Sequence, residues 1–130
     1  MDEKWQKMYE AAKKVQGFTA IGPHMEAGGV AAAVMTESGN IYTGVCVDTA
    51  CGLGVCAERN ALFNMITNSE TRISRVLALM ADGKNGAPCG ACREFIVQLM
   101  EKDYRHIEVM LDYESGKVAT MGELTPEWWL

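Results

Sequence analysis

The sequence has no apolar run long enough to cross a bilayer, no cluster of lysines and arginines, no internal repeat and no low-complexity segment. Each absence removes a class of protein. A membrane-spanning helix needs about 20 consecutive apolar residues, so none is expected, and the charged residues at positions 2–4 predict no secretory leader. Nucleic-acid binding requires grouped cations to meet phosphates; here 12 Lys and Arg face 17 Asp and Glu, for a net charge of −5. Without a linker or repeat, the 130 residues read as one domain, 1–130, and at 48% hydrophobic they suffice for a core. Five cysteines are an odd number, which argues against a disulfide framework and predicts a reducing, cytoplasmic setting. Histidine is scarce, and neither His24 nor His106 is spaced to join a cysteine cluster.

What is present is concentrated in two stretches, Cys56-Ala57-Glu58-Arg59 and Pro88-Cys89-Gly90-Ala91-Cys92-Arg93. Each sits where a helix should begin. Thiolates bind Zn²⁺ well, and a catalytic zinc takes three protein ligands with a fourth position left for water. Cys56, Cys89 and Cys92 fit that count. If Gly90 opens a helix, Cys89 and Cys92 can reach one ion from its first turn. Zinc makes water acidic enough to act near neutral pH, and Glu58, two residues beyond Cys56, is placed to take the water proton and return it to a ring nitrogen and a leaving amine. This is the pattern for hydrolytic deamination of an amidine-like carbon. Three thiolates on one dication leave a net charge of about −1, so a compensating cation is needed. Arg59 is expected to donate to a ligand sulfur, assisted by the dipoles of the two helix N-termini. The competing reading is a structural or redox C-x-x-C pair. A structural zinc site would want a fourth ligand, and a pure scaffold has no need of Glu58.

The rest of the chain predicts strands interleaved with helices. Residues 2–15 carry Trp5, Met8, Tyr9, Ala12 and Val15 at helical spacing, with lysines on the other side, and Gly17 ends the helix. Residues 18–28 read as a loop. Residues 30–36 and 41–47 read as a hairpin of buried strands about the turn Glu37-Ser38-Gly39-Asn40. A helix over 55–67 is apolar nearly all round, including Phe63 and Ile66. Strands are expected at 74–81 and 107–111, a helix at 90–101, and a strand with a helical turn at 118–124. The fold class implied is α/β: a three-layer αβα sandwich around a mixed β-sheet.

Taken with Val30-Ala31-Ala32-Ala33, residues 39–44 and Glu123-Leu124-Thr125-Pro126, these motifs resemble the cytidine deaminase family, of the small three-cysteine homotetrameric kind. The chain is also similar to blasticidin-S deaminases. The resemblance implies one zinc per subunit on Cys56, Cys89 and Cys92, with Glu58 as the proton shuttle and a small nucleoside as substrate in pyrimidine salvage. It also implies a base oriented by the Ala57 N–H and a carbonyl near residues 87–88. A C-terminal aromatic, Trp129 or else Trp128, would close a neighbouring subunit's site, the alternative being packing on its own chain. Three positions depart from the family pattern. The ring expected to stack on the pyrimidine falls on Gly28, leaving Phe18 or Met25 to replace it. The pair that would hold the ribose 3′-hydroxyl falls on Cys46 and Asp48. Asp48 can still accept a hydroxyl hydrogen bond, whereas Cys46 is a weak donor and poor acceptor. His24 and Glu26 are candidates for the site mouth, and Cys51 is read as structural. The expected activity is deamination of cytidine or deoxycytidine. The alternatives are a modified cytosine nucleoside such as blasticidin S, another aminated heterocycle, or a non-catalytic zinc protein.

Overall fold

A computed structural model describes residues 1–130. Helix α1, Glu3–Val15, opens on Asp2, whose side-chain oxygen accepts from the Trp5 N–H at 3.0 Å. Glu3 in its first turn and Lys13 and Lys14 in its last oppose the helix dipole. It buries Trp5, Met8 and Ala12 along one face. Arg75 fastens this helix to the sheet, bonding Asp2 at 2.9 Å and lying 4.8 Å from the Trp5 ring.

The sheet has six strands: β1 Thr19–Gly22, β2 Met25–Thr36, β3 Ile41–Thr49, β4 Ile73–Leu79, β5 Glu108–Asp112 and β6 Lys117–Thr120. Strand β2 is its axis. On one edge β2 pairs with β3; on the other it pairs first with β1 and then with β4. Strands β4 and β5 are parallel, and β5 and β6 antiparallel, so the sheet is mixed as expected.

Side chains alternate across β2, and this alternation makes the layers. Ala31, Ala33 and Met35 point toward α1 together with Leu77, Leu79 and Met110. Ala32 and Val34 point the other way, with Val76 and Val109, into α2, Ala57–Thr67, and α3, Gly90–Leu99. The result is the three-layer αβα sandwich. Met8, Leu62, Met65, Leu77 and Met110 are fully buried, each contributing about 1.5–3 kcal/mol of transfer free energy. The alanines bring helix and sheet backbones close.

The topology also determines where the helices begin. Strands β3 and β4 are both antiparallel to β2 and so run in the same direction. Parallel neighbours need crossover connections, and α2 follows β3 as α3 follows β4. Both helices therefore start beyond the C-terminal ends of their strands, at one end of the sheet, where open α/β sheets hold ligands.

Some local expectations are corrected. Residues 18–28 are not a loop: β1 and the start of β2 pair there around Pro23-His24. All four β1 residues are exposed, so backbone pairing forms this hairpin without an apolar pattern to announce it. Helix α2 starts at Ala57 and not at 55, because Val55 pairs with Val47 as an isolated bridge. Strand β4 stops at Leu79, since the Met80 N–H turns to the Lys84 carbonyl at 2.8 Å. Phe63 and Ile66 face outward, 43% and 40% exposed. The C-terminal expectation of a strand followed by a helical turn is met by β6 and α4, Met121–Leu124, with Thr120 and Glu123 forming a capping box.

Candidate active site

Cys56 is the N-cap of α2 and Cys89 the N-cap of α3. Both have extended backbone, and neither side chain caps its own helix, so both sulfurs are left to face one another. Their Sγ atoms lie 3.4 Å apart. Cys92, in the first turn of α3 and fully buried, completes a cluster whose three sulfurs lie within 4.8 Å of one another. Sulfurs on a tetrahedral zinc are about 3.8 Å apart, given Zn–S of about 2.3 Å, so the spacing suits that ion.

The electrostatics of the cluster ask for a cation. Burial, and then the Glu58 charge, push the Cys92 thiol well above its ordinary range. Burial also opposes the Cys89 thiolate, but the Cys92 N–H and the Cys56 sulfur outweigh it and draw that thiol down. Arg59 Nη2 donates to Cys56 Sγ at 3.6 Å, as its position in the motif predicted. The Cys56 sulfur, and after it that of Cys92, hold the guanidinium firmly protonated. First-turn N–H groups of both helices have no intrahelical acceptor and add positive potential. A divalent ion among the sulfurs would offset the charge of three thiolates, of which Cys92 is buried, Cys56 half-buried and Cys89 exposed; without it, only Arg59 and the helix ends oppose that charge.

Glu58 is 6% exposed. Burial raises its pKa above the ordinary carboxylate value, while its own N–H and Arg59 pull the other way. With Cys56, Cys89, Val30, Ala78 and Met80 it lines a cavity of about 170 Å³. Ala57 and Cys46 also border this space. The Cys46 sulfur is occupied locally, accepting from the Val30 N–H at 3.2 Å. Cys46 and Cys56 are shared with a second cavity, of about 320 Å³, which takes in Asp48, Thr49, Cys51 and Arg59. There, Arg59 Nε and Thr49 Oγ1 are buried without hydrogen-bond partners.

Other expected residues lie farther out. Asp48 is exposed between the second cavity and another of about 310 Å³ that holds His24, Met25 and Glu26. Gly28 is at φ +88°, and a Cβ there would meet the Gly17 carbonyl oxygen at 2.0 Å; no aromatic can occupy that position. Phe18 is exposed and lines none of these cavities. The Pro88 carbonyl already accepts from Arg93 Nε at 2.7 Å, leaving the neighbouring Ala87 as the residue facing the cavity. Trp129 is 70% exposed, and its indole N–H donates to Glu94 Oε1 at 2.7 Å. Trp128 reaches the same oxygen at 3.2 Å and packs on the core. The sequence reading missed Ala78 and Met80, whose only signal was their position at the C-terminal end of a parallel strand.

Comparison with known proteins agrees with this site. The model of the cytidine and deoxycytidylate deaminase zinc-binding region matches residues 2–106. A cytidine deaminase of Halalkalibacterium halodurans is 34% identical over 101 residues, covering 75% of this chain and 74% of the relative. A probable cytidine deaminase of Dictyostelium discoideum is 31% identical over 122 residues, covering 91% and 79%. Among solved structures, the cytidine deaminase of Burkholderia pseudomallei superposes with a TM-score of 0.75 at 28% identity, covering 99% of this chain and 100% of that one. That of Mycobacterium tuberculosis gives 0.78 at 23%, covering 99% of each, and likens the fold alone. With two helix starts gathering three sulfurs, and the zinc-binding region matched over residues 2–106, the chain belongs to the cytidine and deoxycytidylate deaminase family of zinc-dependent deaminases.

Proposed function

We propose that this chain hydrolyses the exocyclic amine of a cytosine nucleoside, converting cytidine or deoxycytidine to the uracil nucleoside and ammonia. The observation that carries this is the cavity of about 170 Å³ that joins the buried Glu58 to the Cys56 and Cys89 sulfurs. Cys56, Cys89 and Cys92 would hold zinc, which when bound would supply a nucleophilic water at neutral pH. Glu58 takes one proton from the attacking water and places it on ring N3, then takes the second from the C4 hydroxyl so formed and passes it to the amine, which departs as ammonia. The Ala57 N–H and the Ala87 carbonyl orient the base. Arg59 holds the Cys56 sulfur and offsets the charge of the cluster. The sugar extends past Cys46 into the second cavity, where Asp48 accepts from a hydroxyl and the unpartnered Thr49 Oγ1 suits a polar occupant.

A second reading, a modified cytosine nucleoside such as blasticidin S, is favoured by one feature. The Cys46 sulfur is engaged by Val30, which leaves it little to offer a ribose hydroxyl. The reading as a non-catalytic zinc protein is disfavoured by the buried Glu58 beside the cluster. We further infer a single domain, a homotetramer, a cytoplasmic location and a place in pyrimidine salvage. The exposed Phe63 and Ile66 on α2 suit a subunit contact, and Trp129 would reach a neighbouring site from such an assembly. No helix is long and apolar enough to cross a membrane.

The test is a panel of cytidine, deoxycytidine and blasticidin S, followed by ammonia release and the ultraviolet change of the base. Turnover of the first two supports the main reading. Turnover of blasticidin S alone selects the second. None with zinc bound contradicts both.

A further inference from the structure

We propose that Met80 packs on the face of the substrate ring and that Gly86 exists to give it room, making this pair a determinant of substrate affinity. The inference rests on the cytosine reading above. The cavity beside Glu58 has its chemistry on one side, in Glu58, Cys56 and Cys89. The remaining walls are apolar, formed by Val30, Ala78, Met80 and Ala87. Ala78 and Ala87 are small, and Val30 is branched and stiff. Met80 is the one long, flexible apolar side chain among them, and it is 39% exposed while lining the same cavity as a buried carboxylate. A flat heterocycle held at Glu58 would cover it. A thioether meets an aromatic ring favourably and adapts to its outline. Gly28 cannot supply a ring-stacking side chain, since its backbone meets Gly17.

The backbone around Met80 is well fixed. Its N–H donates to the Lys84 carbonyl at 2.8 Å, and its carbonyl accepts from the Gly83 N–H at 3.0 Å. Asn85 then clamps the returning strand, its Nδ2 donating to the Ala78 carbonyl at 2.8 Å and its Oδ1 accepting from the Tyr113 N–H at 2.7 Å. These bonds bring residue 86 against residue 80. A Cβ on Gly86 would lie 2.2 Å from Met80 Cε. The Met80 methyl would have to move, and the backbone would not.

Four proteins test this: wild type, Met80→Ala, Gly86→Ala and the double variant, with Met80→Leu as the conservative control. For deamination of cytidine, Met80→Ala should raise KM by about 3- to 30-fold with little change in kcat or bound zinc. Met80→Leu should recover most of the loss. Gly86→Ala should also raise KM when Met80 is present and add nothing once residue 80 is alanine, because the displaced methyl is gone. A second readout does not depend on turnover. With methyl-¹³C methionine, the Met80 signal, assigned by its loss in Met80→Ala, should shift upfield through ring current as uridine, the product, saturates the site. A KM within about twofold of wild type in Met80→Ala, or an unmoved Met80 signal at saturating uridine, overturns the proposal while leaving the deaminase reading intact. A wild-type enzyme that deaminates no member of the nucleoside panel overturns the reading, and the proposal falls with it.

Discussion

A Cβ placed on Gly44 would lie 2.3 Å from the backbone nitrogen of Ala61. Strand β3 and helix α2 thus touch backbone to backbone, and no side chain fits between them. Two amides flank the contact: Asn60 Nδ2 donates to the Val45 carbonyl at 3.0 Å and Asn64 Nδ2 to the Thr43 carbonyl at 3.2 Å. The two asparagines are four positions apart, about one helical turn, so they flank the glycine like jaws. This clamp sets the height of α2 over the sheet and hence the position of Cys56.

Gly44→Val should therefore lift α2, cost about 1–3 kcal/mol or more by overpacking, and lower the zinc retained per chain. Denaturant midpoints and metal content measure both. A variant of wild-type stability with full zinc would show that the clamp does not position the site.

Glu58→Gln keeps the shape of the side chain and removes the proton shuttle. Zinc content should stay near wild type, and turnover should fall by about 10²- to 10⁴-fold. Near-normal turnover in a zinc-loaded variant contradicts the role assigned to this carboxylate.

Much of this site was legible in the sequence, for a physical reason. Cysteine spacing, a carboxylate two residues on and an arginine next to it are local chemistry, and helix starts impose a fixed local geometry on them. Hence Cys56 and Cys89 occupy the positions just before their helices, and Arg59 meets Cys56. The sandwich was legible because β2 carries its layers in alternating small and branched residues. Three kinds of feature were hidden. Strand β1 is exposed on every residue and pairs through its backbone alone, which leaves no periodic trace. The outward Phe63 and Ile66 look like core residues in sequence, since composition cannot tell a buried face from an exposed one. The wall formed by Met80 and Gly86 depends on a turn that Asn85 ties to the distant Tyr113 N–H, a contact that no short window of sequence contains.

Arg59→Ala would leave the cluster sulfurs without their nearest cation. Outer hydrogen-bond partners of metal ligands are typically worth about 10- to 100-fold in affinity, and a loss of that size is expected in competition with a chelator at fixed pH. Because a lysine cannot reproduce the planar fork, Arg59→Lys should restore only part of it. Unchanged zinc affinity in the alanine variant contradicts the charge argument.

Glu70 offers a test by pH away from the site. Its carboxylate accepts from Ser38 at 2.5 Å, Tyr42 at 2.7 Å and Asn40 at 2.9 Å, and these bonds, Ser38 first, draw its pKa from an ordinary 4.5 to about 2. A folded-state pKa below the unfolded one contributes stability that is fully present above the unfolded value and lost as pH falls through the folded one. The window thus runs from about pH 4.5 down to about 2. Over that range the wild type should lose stability more steeply than Glu70→Gln, which has no charge to protonate. Parallel stability curves for the two would contradict this.

The central claim is that Cys56, Cys89 and Cys92 converge on one zinc beside Glu58 and leave one position for solvent. Zinc K-edge X-ray absorption on the purified protein addresses it directly. The account predicts one zinc per chain, with three sulfurs at about 2.3 Å and one light atom at about 2.0 Å. A shell of four sulfurs, or a fourth position filled by a side chain, would contradict it.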